Sequence, residues 1–369
     1  MSAALPTDTT MSALKRIRLV SYNIWFESIQ MVERTNAIVH MMKREKPDVM
    51  CFQEVIQRSC DILTKAFKDE YHIAESFRTW YGVMMFLKKT SFPRANFQGH
   101  MCRSRMGRNL LVATTATRDN IPVMIGTIHL ESLNSHPIRE KQLAQAESIL
   151  RACPNSILCG DFNFDSYRNY SGGGGPLENN SLAEILPTYV DCWLEVNKEE
   201  LAHGEEEERQ RIAAQAQSTP PREKRLQLHR GYTFDSWTNP FLMNHKTERM
   251  RYDRIISNGQ GCLKPVDSYI IGQRPLDREV ADNVPEGSKP KDKRTKPRRH
   301  KMEPGIFPSD HYGLVVDFSI VDGAAPATAE WLASAVPATD DSATTRSSNV
   351  NTNDKAAEAP PPAKRGCNV

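Results

Sequence analysis

None of the eight cysteines stands in a C-x-x-C pair. The spacing that zinc ribbons and thioredoxin-like redox sites require is therefore missing. No apolar run approaches the roughly 18 residues of a membrane span. Residues 1–14 lack the apolar centre of a signal peptide. The glycines of 172–175 are not followed by Lys-Ser or Lys-Thr, which excludes a P-loop. No serine sits in a nucleophile elbow with His and Asp in a hydrolase order. No internal repeat of solenoid type is present. The formal net charge of +3 is too small to name a partner by itself. With these classes set aside, the cysteines read as reduced thiols buried in an intracellular protein, with no zinc site and no membrane association.

The chain has 369 residues, of which 39% are apolar and 25% charged, as suits a globular protein with polar segments attached. Residues 1–14 are small and polar. From about 323 to 369, Ala, Pro, Thr and Ser dominate and large apolar side chains are few. Both segments are expected to be disordered, since they bury too little area to offset the entropy of ordering. One folded domain is expected over 15–322. Two surface insertions interrupt it, at about 199–228 and 277–305. The first holds four consecutive glutamates with Glu205–Arg209 and Glu207–Arg211 four apart, the spacing of an exposed helix. The second contains Lys289–Lys301, where eight of thirteen residues are Lys or Arg, consistent with a nucleic-acid contact or a nuclear import signal.

Short strand signals recur through the folded region, at Arg18–Asn23, Val49–Glu54, Gly82–Lys88, Leu110–Thr117, Pro122–Leu130, Ser156–Asp161, Tyr252–Ser257 and Tyr312–Ile320. Helical spacing appears in Val32–Arg44 and Glu140–Leu150. Many strands with a few helices predict an α/β fold of two packed sheets with helices outside.

Polar residues cluster where these strands end. Asn23 closes "LVSYN". Gln53 and Glu54 close "VMCFQE". His129, Glu131 and Ser132 close "IGTIHLES". Asp161 and Asn163 follow "SILCG", and Asp310 and His311 sit in "PSDHYGL" before the last apolar strand. Each alone reads as a turn, a cap or a core polar group. Their recurrence at one kind of position points to a shared cleft. The residue types suit metal-assisted attack of water on phosphorus. Glu54 is a hard oxygen donor of the kind magnesium takes. Asp161 is a base that can aim a water. Asn163 can fix that water or a phosphate oxygen, and His129 and His311 can meet charge building on a phosphoryl group.

"SYNIW", "PDVMCFQEV", "GTIHLES", "GDFNFD", "RYDRII" and "SDHYGL" occur in an order that resembles the endonuclease/exonuclease/phosphatase superfamily. Within it, "MGRNLLVATT", "REKQLAQAESIL", "YVDCWLEV" and "GYTFDSWTNP" are most similar to the 5′-tyrosyl-DNA phosphodiesterase family. The resemblance covers about 16–320. It implies a four-layer α/β/β/α sandwich of the DNase I-like type, with the active site at one end of the two sheets. It implies that Glu54 and Asp310 hold Mg2+, with Mn2+ able to substitute. Asn23 contacts the phosphate or a metal water, and His129 and Ser132 bind the phosphate. Asp161 activates the water with help from Asn163, and His311, oriented by Asp253, stabilises the pentacoordinate phosphorus. The implied substrate is DNA with a 5′-tyrosyl peptide adduct at a single-stranded or overhanging, topoisomerase-linked end. The implied product is a 5′-phosphate, and the implied setting is DNA repair in the nucleus, with or without the cytoplasm, by a monomer. Another phosphohydrolase of the same fold and an inert nucleic-acid adaptor are the alternatives. One departure stands out: where many members carry an acidic residue two positions after the motif asparagine, this chain has Trp25. It is assigned either to substrate stacking or to packing in a loop, and the number of metal-bound carboxylates is left open.

Overall fold

Along the first strand, Leu19 faces one apolar cluster while Val20 and Tyr22 face another. Both faces of this strand are buried, one against a second sheet and the other under a helix layer. The computed structural model describes residues 14–77, 79–169, 175–203, 231–242, 248–275, 307–321 and 325–335.

Those residues run in order β1 (Arg16–Asn23), α1 (Met31–Glu45), β2 (Val49–Ile56), α2 (Gln57–Phe67), β3 (Tyr71–Phe77), β4 (Tyr81–Lys88), β5 (Arg94–Met101), β6 (Asn109–Ala116) and β7 (Pro122–His129). Then come α3 (His136–Leu150), β8 (Ser156–Asp161), α4 (Glu178–Ile185), β9 (Tyr189–Asp191), α5 (Cys192–Val196), β10 (Phe234–Asp235) and β11 (Arg249–Met250). The last are β12 (Asp253–Asn258), β13 (Leu263–Ile271), β14 (Gly313–Ile320) and α6 (Ala329–Ser334). One six-stranded sheet has the order β13-β14-β1-β2-β4-β3, the other β5-β6-β7-β8-β12-β9, and β10-β11 is a separate ribbon. The inner core joins Leu19, Val49, Ile125, Ile157, Ile255 and Val316 from the two sheets. Ile38, Met41 and Leu63 of α1 and α2 cover the first sheet, and Leu143, Ala146 and Leu182 of α3 and α4 cover the second. The expected four-layer α/β/β/α sandwich is the observed one.

Strand direction places the site. β1 and β2 are parallel, with Asn23 opposite Gln53, and β7 and β8 are parallel, with His129 opposite Asp161. β12 runs antiparallel to β8 and starts with Asp253 opposite Asp161. β14 runs antiparallel to β1, so the segment before it, carrying Asp310 and His311, returns to the same end. The inward-facing positions grow polar toward that end. Leu19, Ser21 and Asn23 follow one another on β1, Ile125, Thr127 and His129 on β7, and Ile157, Cys159 and Asp161 on β8. Period-2 alternation turns a rule about strands into a layered cleft floor. One layer below the cleft, Gln53 Nε2 bridges the sheets to Thr127 Oγ1 at 3.1 Å.

Gly160 lies within β8. Its φ is 140°, and a Cβ there would lie 1.8 Å from the Ile128 carbonyl oxygen. Only glycine lets β8 approach β7 this closely.

The expectation of a tail from 323 onward needs correction over 325–335. There Thr328 caps α6 by accepting from the Trp331 N–H, and the Trp331 indole donates to the Thr115 carbonyl at 2.8 Å. Asn96 donates to the Ser334 carbonyl at 2.9 Å. A single tryptophan anchors a stretch whose average composition is that of a disordered segment. Residues 198–203 are helical. The Glu205–Arg211 pairs, the basic run Lys289–Lys301 and residues 336–369 lie outside the described residues, as do 1–13. Among the described residues the seven cysteines are free and six are buried, and no helix is long and apolar enough to cross a membrane.

Candidate active site

Glu54 reaches the cleft because β2 is bulged. Phe52 pairs with Met84 and Val55 with Gly82, so Gln53 and Glu54 together face one residue of β4. Phe52 and Val55 both pack outward against the helices, and the extra residue between them turns Glu54 toward the site. Its backbone is left-handed, with φ 58°. Trp25 and Asn163 share that conformation, at 59° and 56°. Non-glycine residues held there cost of order 1–3 kcal/mol each and gather at functional sites. Bulges re-aim side chains in the same way. The Phe26 N–H holds Glu54 Oε2 at 3.2 Å, while Oε1 faces His129 Nε2 at 4.0 Å.

Asp161 is the centre of the arrangement. Its Oδ2 accepts from Asn23 Nδ2 at 3.0 Å, and His129 Nε2 lies 3.3 Å and His311 Nε2 3.9 Å from the same atom. Its Oδ1 accepts from the Asn163 N–H at 2.9 Å. Burial pushes the carboxyl up to about 6, and Asp253 and Glu54 push the same way, opposed by His311 and the bond from Asn23.

Arg108 settles the state of His129. A guanidinium only donates, and Arg108 Nη1 lies 2.8 Å from His129 Nδ1. The ring therefore accepts at Nδ1 and carries its proton on Nε2, aimed at Asp161. Arg108 also donates to the Tyr81 hydroxyl and to Ser132 Oγ, each at 2.8 Å. Its loop is anchored below by Glu131, which accepts from the Ser104 hydroxyl and the Arg105 N–H.

His311 lies on the other side of Asp161. Its Nδ1 meets Asp253 Oδ2 at 2.8 Å. Burial lowers the pKa of the imidazole, but Asp253, with Asp161 and Asp310, outweighs burial and raises it to about 10. At neutral pH the ring is an imidazolium. Phe234 packs against it at 5.0 Å between centroids.

The structure thus brings together Asn23, Glu54, His129, Asp161, Asp253 and His311, with Ser132 and Asn163 beside them. Glu54, His129 and Asp161 form one close cluster, and Asp161, Asp253 and His311 another; with His129 protonated at Nε2 and His311 an imidazolium, the ligand atoms left to a cation are carboxylate oxygens. Asp310 belongs to neither group. The donor set fits a hard divalent ion: Glu54 presents one oxygen left open by Phe26, with the buried Asp161 carboxylate in the same cluster. Trp25 is half-buried. Its ring lies against Phe241, with centroids 4.7 Å apart, and 4.6 Å from the Arg34 guanidinium carbon. Arg108 and Tyr81 were not singled out from the sequence. The charged Arg108 one place before an apolar strand in "MGRNLLV" carries the same signal as the other site residues, displaced to a strand's start.

Residues 20–311 match the model of the endonuclease/exonuclease/phosphatase family. A relative from Xenopus laevis, tyrosyl-DNA phosphodiesterase 2, is 26% identical over 296 residues, covering 78% of this chain and 62% of the relative. The Homo sapiens protein of the same name is 23% identical, covering 85% of this chain and 71% of its own length. The chain thus spans less than two thirds of the first of these relatives. A crystal structure of D. rerio TDP2 complexed with single strand DNA product superposes with a TM-score of 0.58 at 20% identity, covering 82% of this chain and 99% of that one. The human Nocturnin catalytic domain with bound sulfate superposes with a TM-score of 0.50 at 16% identity, covering 83% and 95%. At these identities the structural likeness speaks for the fold, and the match over residues 20–311 speaks for descent: the chain belongs to the endonuclease/exonuclease/phosphatase family.

Proposed function

We propose that this chain is a divalent-metal-dependent phosphodiesterase, with Mg2+ as its ion and Mn2+ able to substitute, acting on 5′-phosphotyrosyl DNA ends to leave a 5′-phosphate. The observation that carries the reading is Asp161, a buried carboxylate whose Oδ2 faces Asn23, His129 and His311. A base with a raised pKa flanked by fixed donors is what water attack on a phosphoryl group needs.

In this reading Asp161 takes a proton from water as the water oxygen bonds to phosphorus. The bond from phosphorus to the tyrosine oxygen breaks, the phenolate leaves with its electron pair, and phosphate stays on the DNA. The phenol has a pKa of about 10, so the departing oxygen needs little protonation. The His311 imidazolium and the Nε2–H of His129 donate to phosphoryl oxygens. Glu54 is the ligand for the ion, which supplies charge neutralisation and orientation when bound. Asp310, the second ligand in this reading, stands next to His311 and outside both close clusters. The relatives named tyrosyl-DNA phosphodiesterase 2 support the tyrosyl substrate, and the DNA product in the D. rerio TDP2 crystal supports a single-stranded or overhanging end. In this reading the protein works in the nucleus, with or without the cytoplasm, as a monomer with residues 15–322 as its catalytic part.

A panel of 5′-tyrosyl, 3′-tyrosyl and abasic DNA in Mg2+ tests this. Fast release of tyrosine from the 5′ end alone is expected. Comparable cleavage at an abasic site would replace the substrate assignment and leave the hydrolytic chemistry, whereas no metal-dependent cleavage of any phosphodiester would favour a binding protein.

A further inference from the structure

Arg34 on α1 is 1% exposed, and among the described residues no carboxylate lies within ion-pair distance of it. All five of its N–H groups meet backbone carbonyls instead. Nε donates to Ile29 at 2.8 Å, Nη1 to Ile24 at 2.9 Å and Pro308 at 3.3 Å, and Nη2 to Trp25 at 3.0 Å and Glu27 at 2.5 Å. Four of these carbonyls belong to the loop between β1 and α1. The fifth precedes Ser309, Asp310 and His311. The Trp25 ring covers one face of the guanidinium at 4.6 Å.

The same loop holds two groups of the site. Its Phe26 N–H binds Glu54 Oε2 at 3.2 Å. Its Trp25 N–H binds Asn23 Oδ1 at 3.0 Å, which leaves Asn23 Nδ2 to donate to Asp161. Trp25 adopts φ 59° to present that N–H. On the other side, the Ser309 hydroxyl donates to the Asn23 carbonyl at 2.7 Å. Past the Ile24 N–H bond to the Gln53 carbonyl at 3.0 Å the loop leaves the β1–β2 ladder, and Arg34 supplies the side chain that gathers four of its carbonyls.

We propose that Arg34 is a positioning residue for the metal site: by saturating the carbonyls of the 24–29 loop it holds the Phe26 and Trp25 amides that aim Glu54 and Asn23. The inference rests on the reading above that Glu54 is a ligand for a divalent ion. Lysine keeps the charge but offers three donors from one point on a flexible stem, and it cannot span the five carbonyls.

The test compares Mn2+ binding, by titration calorimetry and electron paramagnetic resonance, in the wild type, Arg34→Lys and Leu63→Ala. Leu63 lies on α2 in the same outer core and makes none of the hydrogen bonds above, so Leu63→Ala reports what loss of stability alone does. Arg34→Lys is expected to fold and to bind Mn2+ about ten- to a hundredfold more weakly, the usual effect of removing a group behind a ligand. Turnover should recover most of its loss at high metal concentration. Leu63→Ala should bind Mn2+ as the wild type does. Unchanged Mn2+ affinity in Arg34→Lys, equal weakening in Leu63→Ala, or failure of Arg34→Lys to fold would each assign Arg34 to stability alone. A wild type that binds no Mn2+ would overturn the metal reading itself, and the inference with it.

Discussion

His311 Nδ1 lies 2.8 Å from Asp253 Oδ2, and both side chains are buried at the end of the sandwich. The pair decides the alkaline behaviour of the site. An imidazolium raised to about 10 keeps its proton far above the ordinary histidine range. Turnover should therefore hold through pH 8 and fall only as the pH approaches about 10. On the acid side it should fall above the usual carboxylate range, because Asp161 must be ionised and burial resists that. In Asp253→Asn the largest raising charge is gone, while burial and the weaker pull of Asp161 and Asp310 remain. Its alkaline limb should move down from about 10, with turnover on the alkaline side reduced by up to about 10²–10³, the cost of losing one preorganised charge-stabilising donor. A pH–rate profile of the two proteins checks this; an alkaline limb that stays in place would separate His311 from the reaction.

Glu54→Gln keeps the shape of the side chain and can still accept from Phe26, but it removes the anionic oxygen facing the cleft. Activity in Mg2+ should be almost abolished with the fold retained. Thermal stability supplies a second measurement. Ion binding to the folded state adds about 2.7 kcal/mol at a hundred times its Kd, so Mg2+ should raise the wild-type Tm and chelator should reverse the rise. Glu54→Gln should show no such rise.

Arg108 holds His129, Ser132 and Tyr81 at once. Arg108→Lys loses the planar fork that spans them. His129 is then free to move its proton to Nδ1, and its Nε2 no longer donates. We expect turnover to drop about ten- to a hundredfold, with Mn2+ affinity nearly unchanged since Glu54 is untouched. Steady-state kinetics beside a Mn2+ titration separates the two effects.

The strands that carry the site were legible in the sequence, and the strands at the sheet edges were not. β1, β2, β7 and β8 are buried on both faces and read as apolar runs with polar ends. β3, β5, β9 and β13 lie at the four edges. "YHIAESF" and "RANFQGHM" carry polar side chains throughout, and β13 contains Pro265, all fitting an edge and all blurring the period-2 signal. Within the site, the recurrence of polar residues at strand ends identified Asn23, Glu54, His129, Asp161 and His311. It could not reveal that Glu54 needs a bulge to face inward, because simple alternation puts it on the helix side with Phe52's neighbours. Nor could it reveal Arg34, whose partners are all backbone carbonyls and leave no side-chain pattern.

Asp161→Asn tests the base. The amide cannot take a proton from water, and its NH2 group must face either the Asn163 N–H or the donors Asn23 and His129. Turnover should fall by at least the roughly 10²–10³ of a lost preorganised group. Affinity for a non-hydrolysed DNA end should be largely kept, since His311 and Ser132 remain. A proportional loss of binding with turnover unchanged would mean that Asp161 holds substrate and does not activate water.

The sharpest structural prediction concerns Gly160, the residue before the base. Its φ of 140° and the 1.8 Å that would separate a Cβ from the Ile128 carbonyl leave no room for a side chain. Backbone, not a flexible side chain, is what the new carbon meets, so β7 and β8 must part at the point where His129 and Asp161 pair. Gly160→Ala should cost about 4 kcal/mol, among the largest effects of a single substitution. The loss should be felt twice. Denaturant unfolding would report the lower stability. In protein kept folded at low temperature, the 3.3 Å approach of His129 to Asp161 would open, and turnover should fall well beyond the fraction unfolded. Turnover that simply tracks the folded fraction would show that the catalytic pair does not depend on the close contact of these two strands.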